Sequence, residues 1–108
     1  SGMFVFDADC PWLETGPGVR RKVLGFDGEL MTVRFSFESG GIGVLHHHPH
    51  RQTSVVAKGS FDVTIGGRTE RLWAGDCYIV PPNVIHGVVC LEAGELIDSF
   101  APARADFL

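Results

Sequence analysis

Residues 29–38 read ELMTVRFSFE, and their apolar side chains fall on every second position: Met31, Val33, Phe35 and Phe37 alternate with Thr32, Arg34 and Ser36. Period two is the pattern of a strand with one buried face. Upstream, RRKVLGF (residues 20–26) runs into Asp27-Gly28, a dipeptide that tolerates the positive φ of a two-residue hairpin turn, so the two segments are predicted to pair antiparallel. Downstream the pattern recurs. Phe61, Val63 and Ile65 alternate with polar neighbours before Gly66-Gly67, which predicts a second hairpin. Three further apolar runs follow, CYIVPP (77–82), HGVVCLEAGE (86–95) and ELIDSFA (95–101), each set off by proline or glycine. The 14 glycines and 6 prolines interrupt the chain too often for helical apolar spacing to persist. Short strands without intervening helices predict a small all-β sandwich or barrel rather than a layered α/β fold.

The 108 residues suit one domain, taken as 3–108, with no internal repeat or linker; Ser1 and Gly2 before Met3 read as the remnant of a cleaved tag. Nine Lys and Arg against thirteen Asp and Glu give a net charge of -4, which leaves no basic field for a nucleic acid or an anionic membrane. Cys10, Cys77 and Cys90 are odd in number and lack a Cys-x-x-Cys pair, so neither a disulfide framework nor a zinc knuckle is expected. Cys77 and Cys90 read as small buried hydrophobes. No apolar run approaches the ~20 residues of a membrane span, and the first residues lack a secretory pattern. The expectation is a soluble cytoplasmic protein.

Four of the five histidines fall in GIGVLHHHPHRQ (41–52): His46, His47, His48 and His50; the fifth is His86. In a strand, His46 and His48 share a face while His47 points away, so two imidazoles can meet one ion from adjacent rungs. Gln52 then brings a carboxamide oxygen toward the same place, and His86 can close the set. The competing readings are a solvated histidine-rich loop, and a His86 that is merely a turn residue with a satisfied hydrogen bond.

The flanks decide between them. Gly41-x4-His46-x-His48-x3-Gln52-x6-Gly59 resembles the first motif of the cupin superfamily, with glutamine where many members have glutamate. Gly75-x5-Pro81-x-Asn83-x2-His86 resembles the second, with Asn83 where glycine is usual and Cys90 where asparagine is frequent. The resemblance covers nearly the whole chain. It implies a double-stranded β-helix, the cupin or jelly-roll barrel, and a homodimer. It also implies a divalent transition metal on His46, His48, Gln52 and His86, with His47 and His50 outside the ligand set. Three neutral imidazoles and an amide leave a dipositive charge uncompensated, which favours an anionic, oxygen-bearing substrate. Such ligands argue against calcium and magnesium and leave manganese, iron, cobalt, nickel, copper and zinc open.

The last strand carries Asp98 and Phe100 on one face. Aspartate is depleted in strands and sits here among apolar residues; it is either an outward, exposed carboxylate or, facing a metal, an acid or base. Phe100 reads as core, or as a stacking platform at a barrel mouth. Arg104, after Pro102, reads on bare sequence as a solvated tail charge, yet a guanidinium grips carboxylates bidentately if the tail folds over a pocket. HxHPHxQ, PPNVIHGV and Asp98-x-Phe100-x3-Arg104 together resemble the cupin enzymes of pectin and alginate breakdown, which linearise 4,5-unsaturated monouronates. That narrower resemblance implies catalytic roles for Asp98, Phe100 and Arg104 and a small sugar acid as substrate. Arg51 departs from it, standing where glutamate is common. Two other classes compete: an oxidative cupin such as a dioxygenase, and a non-catalytic sugar- or metal-binding module.

Overall fold

The computed structural model describes residues 2–108, so the tag reading of Ser1 lies outside the described residues. Eight strands follow in order: β1 Leu13–Gly16, β2 Val19–Phe26, β3 Met31–Phe37, β4 Ile42–His46, β5 Arg51–Ile65, β6 Arg68–Trp73, β7 Cys77–Val80 and β8 His86–Ala101. Two 3-10 turns, Asp7–Asp9 and Ala105–Phe107, flank them. All pairings are antiparallel. The all-β barrel expected from the sequence is the fold observed. No helix among the described residues is long and apolar enough to cross a membrane.

The architecture rests on one long ribbon. β5 and β8 pair from Arg51 with Ala101 at one end to Ile65 with His86 at the other. The first half of this ribbon is flanked by β3 and β7, the second half by β4 and β6. Register shifts between Val56 and Phe61 double the ribbon over, so its two halves face each other as a sandwich. Glycine permits the fold-over. A Cβ on Gly94 would run into the Lys58 carbonyl, and one on Gly59, where φ is +77°, into the Glu92 carbonyl.

This corrects the reading of HGVVCLEAGE and ELIDSFA as separate strands: Gly94 marks a close backbone approach rather than a break. The first hairpin also differs in detail. Asp27 N–H donates to the Leu30 carbonyl, so Gly28 and Glu29 form the turn, and the Asp27 carboxylate accepts from the Glu29 and Leu30 amides. That side-chain cap, not a positive φ at Gly28, fixes the bend. At Gly66-Gly67 both φ values are positive, +56° and +84°, as a two-residue hairpin requires.

Inside the fold-over lies an apolar cluster containing Phe37, Val56, Phe61, Val63, Val88 and Leu96. Phe61 has no exposed surface and meets Phe37 edge to face at 5.2 Å between centroids. Met31, Val33 and Phe100 form a second cluster. Cys90 is buried as expected, whereas Cys77 is exposed because β7 pairs only with β5 and its odd positions face outward.

Candidate metal centre and active site

The doubled ribbon brings its two ends together, and the histidines collect there. β4 ends at His46, which pairs with His86 at the start of β8; their rings are 4.3 Å apart. His48 does not share that strand, as the alternation argument assumed. It lies beyond the strand end, and the turn through Pro49 swings its ring to 4.8 Å from His86 and 5.4 Å from His46. One ring nitrogen from each of the three lies within 4.8 Å of the others.

Their orientation is fixed from behind. His46 Nδ1 meets the Val44 carbonyl at 2.8 Å, His48 Nδ1 the His50 carbonyl at 3.0 Å, and His86 Nδ1 the Val84 carbonyl at 2.9 Å. A ring that donates Nδ1–H to a carbonyl presents the Nε2 lone pair on its other side. His86 Nε2 is accordingly buried without any hydrogen-bond partner. His48 Nε2 faces Gln52 Oε1 at 3.0 Å. With its single proton on Nδ1, a neutral His48 leaves two acceptors confronting each other. Burial above all, with Arg104 next, holds His48 below its ordinary pKa, and burial pushes His86 down to about 4, so these rings are neutral at pH 7. A cation between the facing lone pairs resolves the conflict. The donor set therefore fits a divalent transition metal.

Gln52 joins this cluster to Asp98. Gln52 and Ser54 point inward from β5 opposite Phe100 and Asp98 of β8. The Gln52 amide nitrogen donates to Ser54 Oγ at 2.9 Å and to Asp98 Oδ2 at 3.3 Å. A glutamate at this position would set a second carboxylate against Asp98, which gives glutamine a physical reason to stand there. Asp98 is 5% exposed and its Oδ1 has no partner. Burial pushes its carboxyl up to about 7, against the opposing pull of the Ser54 hydroxyl and Arg104. The outward, exposed alternative for Asp98 thus falls, because β8 is a central strand and Asp98 shares its inward parity with Leu96 and Phe100.

Phe100 is buried and edge-on to His48 at 5.7 Å. Past Ala101 the tail folds back over the barrel mouth, so Arg104 is buried rather than a solvated tail charge. Its guanidinium lies 4.2 Å from the Phe107 ring and 5.1 Å from Phe100, and its Nε and Nη2 donate to the Asp106 carboxylate at 3.0 and 2.7 Å. His47 and Arg51 are exposed, and His50 serves the cluster through its carbonyl. Asn83 adopts φ +65°, the left-handed region that asparagine tolerates best after glycine.

His46, Gln52, His86, Asp98, Phe100 and Arg104 line a cavity of about 670 Å³. Arg21, Tyr78 and Phe107 also line it, and sequence reasoning did not single them out. The signal for Arg21 was available: it alternates with Val19 and Val23 on the inward side of β2. The Tyr78 phenol, buried beside Asp98, is pushed up in pKa chiefly by desolvation.

Comparison with known proteins agrees with this fold. The family model described as the cupin domain matches residues 33–99. The pectin degradation protein KdgF of Dickeya dadantii is 46% identical over 107 residues, covering 97% of each chain. A crystal structure of an RmlC-like cupin from Shewanella frigidimarina superposes with a TM-score of 0.95 at 44% identity, covering 100% of this chain and 97% of that one. The structure of KdgF from a Halomonas species does so at 0.93 and 35% identity, covering both chains completely.

Proposed function

The chain belongs to the cupin domain family, and from that premise we propose that it converts 4,5-unsaturated monouronates, the products of pectin or alginate lyases, into linear keto acids. The similarity to proteins named KdgF supports the substrate class. The observation that carries the reaction is the buried Asp98 carboxyl, one amide away from three converging imidazoles.

The substrate is a cyclic hemiacetal whose ring oxygen is attached to an alkene carbon bearing the carboxylate. Opening takes the proton from the anomeric hydroxyl, breaks the bond between the anomeric carbon and the ring oxygen, and leaves an aldehyde and an enolate. Delivery of one proton to the far alkene carbon then gives the 2-keto acid. Atoms and electrons balance as an isomerisation, and the net change is one proton moved from oxygen to carbon. A carboxyl held up to about 7 can take that proton and return it at neutral pH. In this proposal Asp98 is the acid and base, Phe100 packs on the sugar ring and Arg104 steadies the carboxylate. His46, His48, Gln52 and His86 would hold a divalent transition metal, which would supply Lewis acidity for the developing enolate charge.

A cytoplasmic homodimer completes the reading, supported by three free thiols and by the exposed apolar run from Met3 to Phe6. The test is to feed lyase-generated unsaturated galacturonate, or its alginate counterpart, to zinc-loaded protein and to follow the alkene absorbance. Loss faster than the spontaneous rate is expected; an unchanged rate sinks the assignment.

A further inference from the structure

Arg21 is an anomaly of the same kind as Asp98. It occupies an inward position of β2 between Val19 and Val23, opposite Phe35 of β3, where an apolar side chain would pack without penalty. Its basic neighbours behave differently: Arg20 and Lys22 lie on the other face of β2, with their cationic groups 4.2 and 4.4 Å from the Trp12 ring. The Arg21 guanidinium instead reaches into the cavity and stacks 3.8 Å from the Phe107 ring centroid, the ring that also carries Arg104.

The charges around that ring do not cancel. Among the described residues no carboxylate comes within 4.0 Å of Arg21, whereas Asp106 occupies the Nε and Nη2 edge of Arg104. The other acid in the cavity, Asp98, accepts from Gln52 rather than from Arg21. Two guanidiniums thus face one committed carboxylate in a half-buried site. Desolvation first, and Arg104 second, depress the Arg21 pKa against a smaller opposing pull from Asp106. A local rule broken without compensation inside the protein is where a ligand is expected to supply it.

The geometry points to Arg21 as the free guanidinium that recognises the substrate carboxylate, separating sugar acids from neutral sugars, with Phe107 as the platform that aligns it beside Arg104. The sugar-acid part of this inference rests on the uronate reading above. Arg104 has spent its side edge on Asp106 and offers only its remaining end, so Arg21 carries the open fork suited to a planar anion.

The test uses the zinc-loaded full chain and the variants Arg21→Met, which keeps the stacked stem, Arg21→Lys, which keeps charge without the fork, and Arg21→Gln as a second neutral form. Calorimetric titration with galacturonate, a saturated acid that is not turned over, is run beside neutral galactose, and unsaturated galacturonate kinetics follow. Arg21→Met and Arg21→Gln are expected to weaken galacturonate binding and raise KM by roughly 10- to 100-fold, with kcat within about twofold and galactose unaffected. Arg21→Lys should fall between. Affinity and KM equal to the wild type in the neutral variants overturn the proposal, since a merely packing role survives in Arg21→Met. A wild type that binds galacturonate through Arg21 yet leaves the alkene untouched removes the ring-opening reading alone. A wild type that neither binds nor turns over removes both.

Discussion

The bend of the β5/β8 ribbon and its two ends are made from the same strands, yet they hold opposite chemistry. At the bend the inward residues include Val56, Phe61, Val63, Val88 and Leu96, packed on one another, and the polar Ser60 buried beside them has its hydroxyl satisfied by Glu92. At the ends they are Gln52, Ser54, His86 and Asp98, with an acid near neutrality and a ring nitrogen without a partner. The bend supplies the burial that holds the barrel closed. The ends leave Asp98 Oδ1 and His86 Nε2 buried without partners, a cost in stability that the proposed ion and substrate would offset.

Replacing Asp98 with Asn tests that division most sharply. Turnover of the unsaturated uronate should fall roughly 100- to 10,000-fold, with zinc content by elemental analysis unchanged and the melting temperature no lower than that of the wild type. Undiminished turnover would remove the carboxyl from the mechanism. The opposite experiment is Phe61→Ala at the bend. Urea unfolding should show a loss of about 3–5 kcal/mol, while the KM of the remaining folded protein holds. A comparable loss of affinity would show that the two regions are not separable.

Zinc should act at the ends only. At a hundredfold excess over its Kd it should add about 2.7 kcal/mol to unfolding stability. His86→Ala should abolish most of that gain and Phe61→Ala should retain it, read by urea midpoints with and without chelator. The smallest effect is on pH. In metal-free protein Asp98 is raised from an ordinary ~3.9 to about 7, so its contribution is full below the ordinary value and is lost as pH rises through about 7. His86 is lowered to about 4 from an ordinary ~6.5, so its contribution is full above the ordinary value and is lost as pH falls through about 4. The two slopes oppose each other across the window between. Asp98→Asn should leave the His86 slope alone, giving melting temperatures that climb with pH there; a flat profile would count against the burial of His86.

Much of this was legible beforehand, and for identifiable reasons. Met31, Val33 and Phe37 announced a one-faced strand because a pleat repeats every two residues. The histidine and glutamine spacing announced a converging cluster because it matched a known pair of motifs. Other features were not legible. His48 reaches the cluster from a turn, where alternation has no meaning. Gly94 looked like a strand end because a glycine that breaks pairing and one that lets two backbones touch are the same letter. Arg104 looked solvated because nothing local requires the tail to turn back onto Phe100.

By itself the chain's order of residues determined which side chains share a face, since periodicity is a local, covalent property. Only the tertiary structure decided which faces meet. Bulges between Val56 and Phe61 reset the register and doubled the ribbon, and that placed Gln52 beside His48, Asp98 beside Gln52, and an unpaired Arg21 at the mouth of the same cavity. Contacts between residues so distant along the chain depend on how the whole shell closes, which no local pattern encodes.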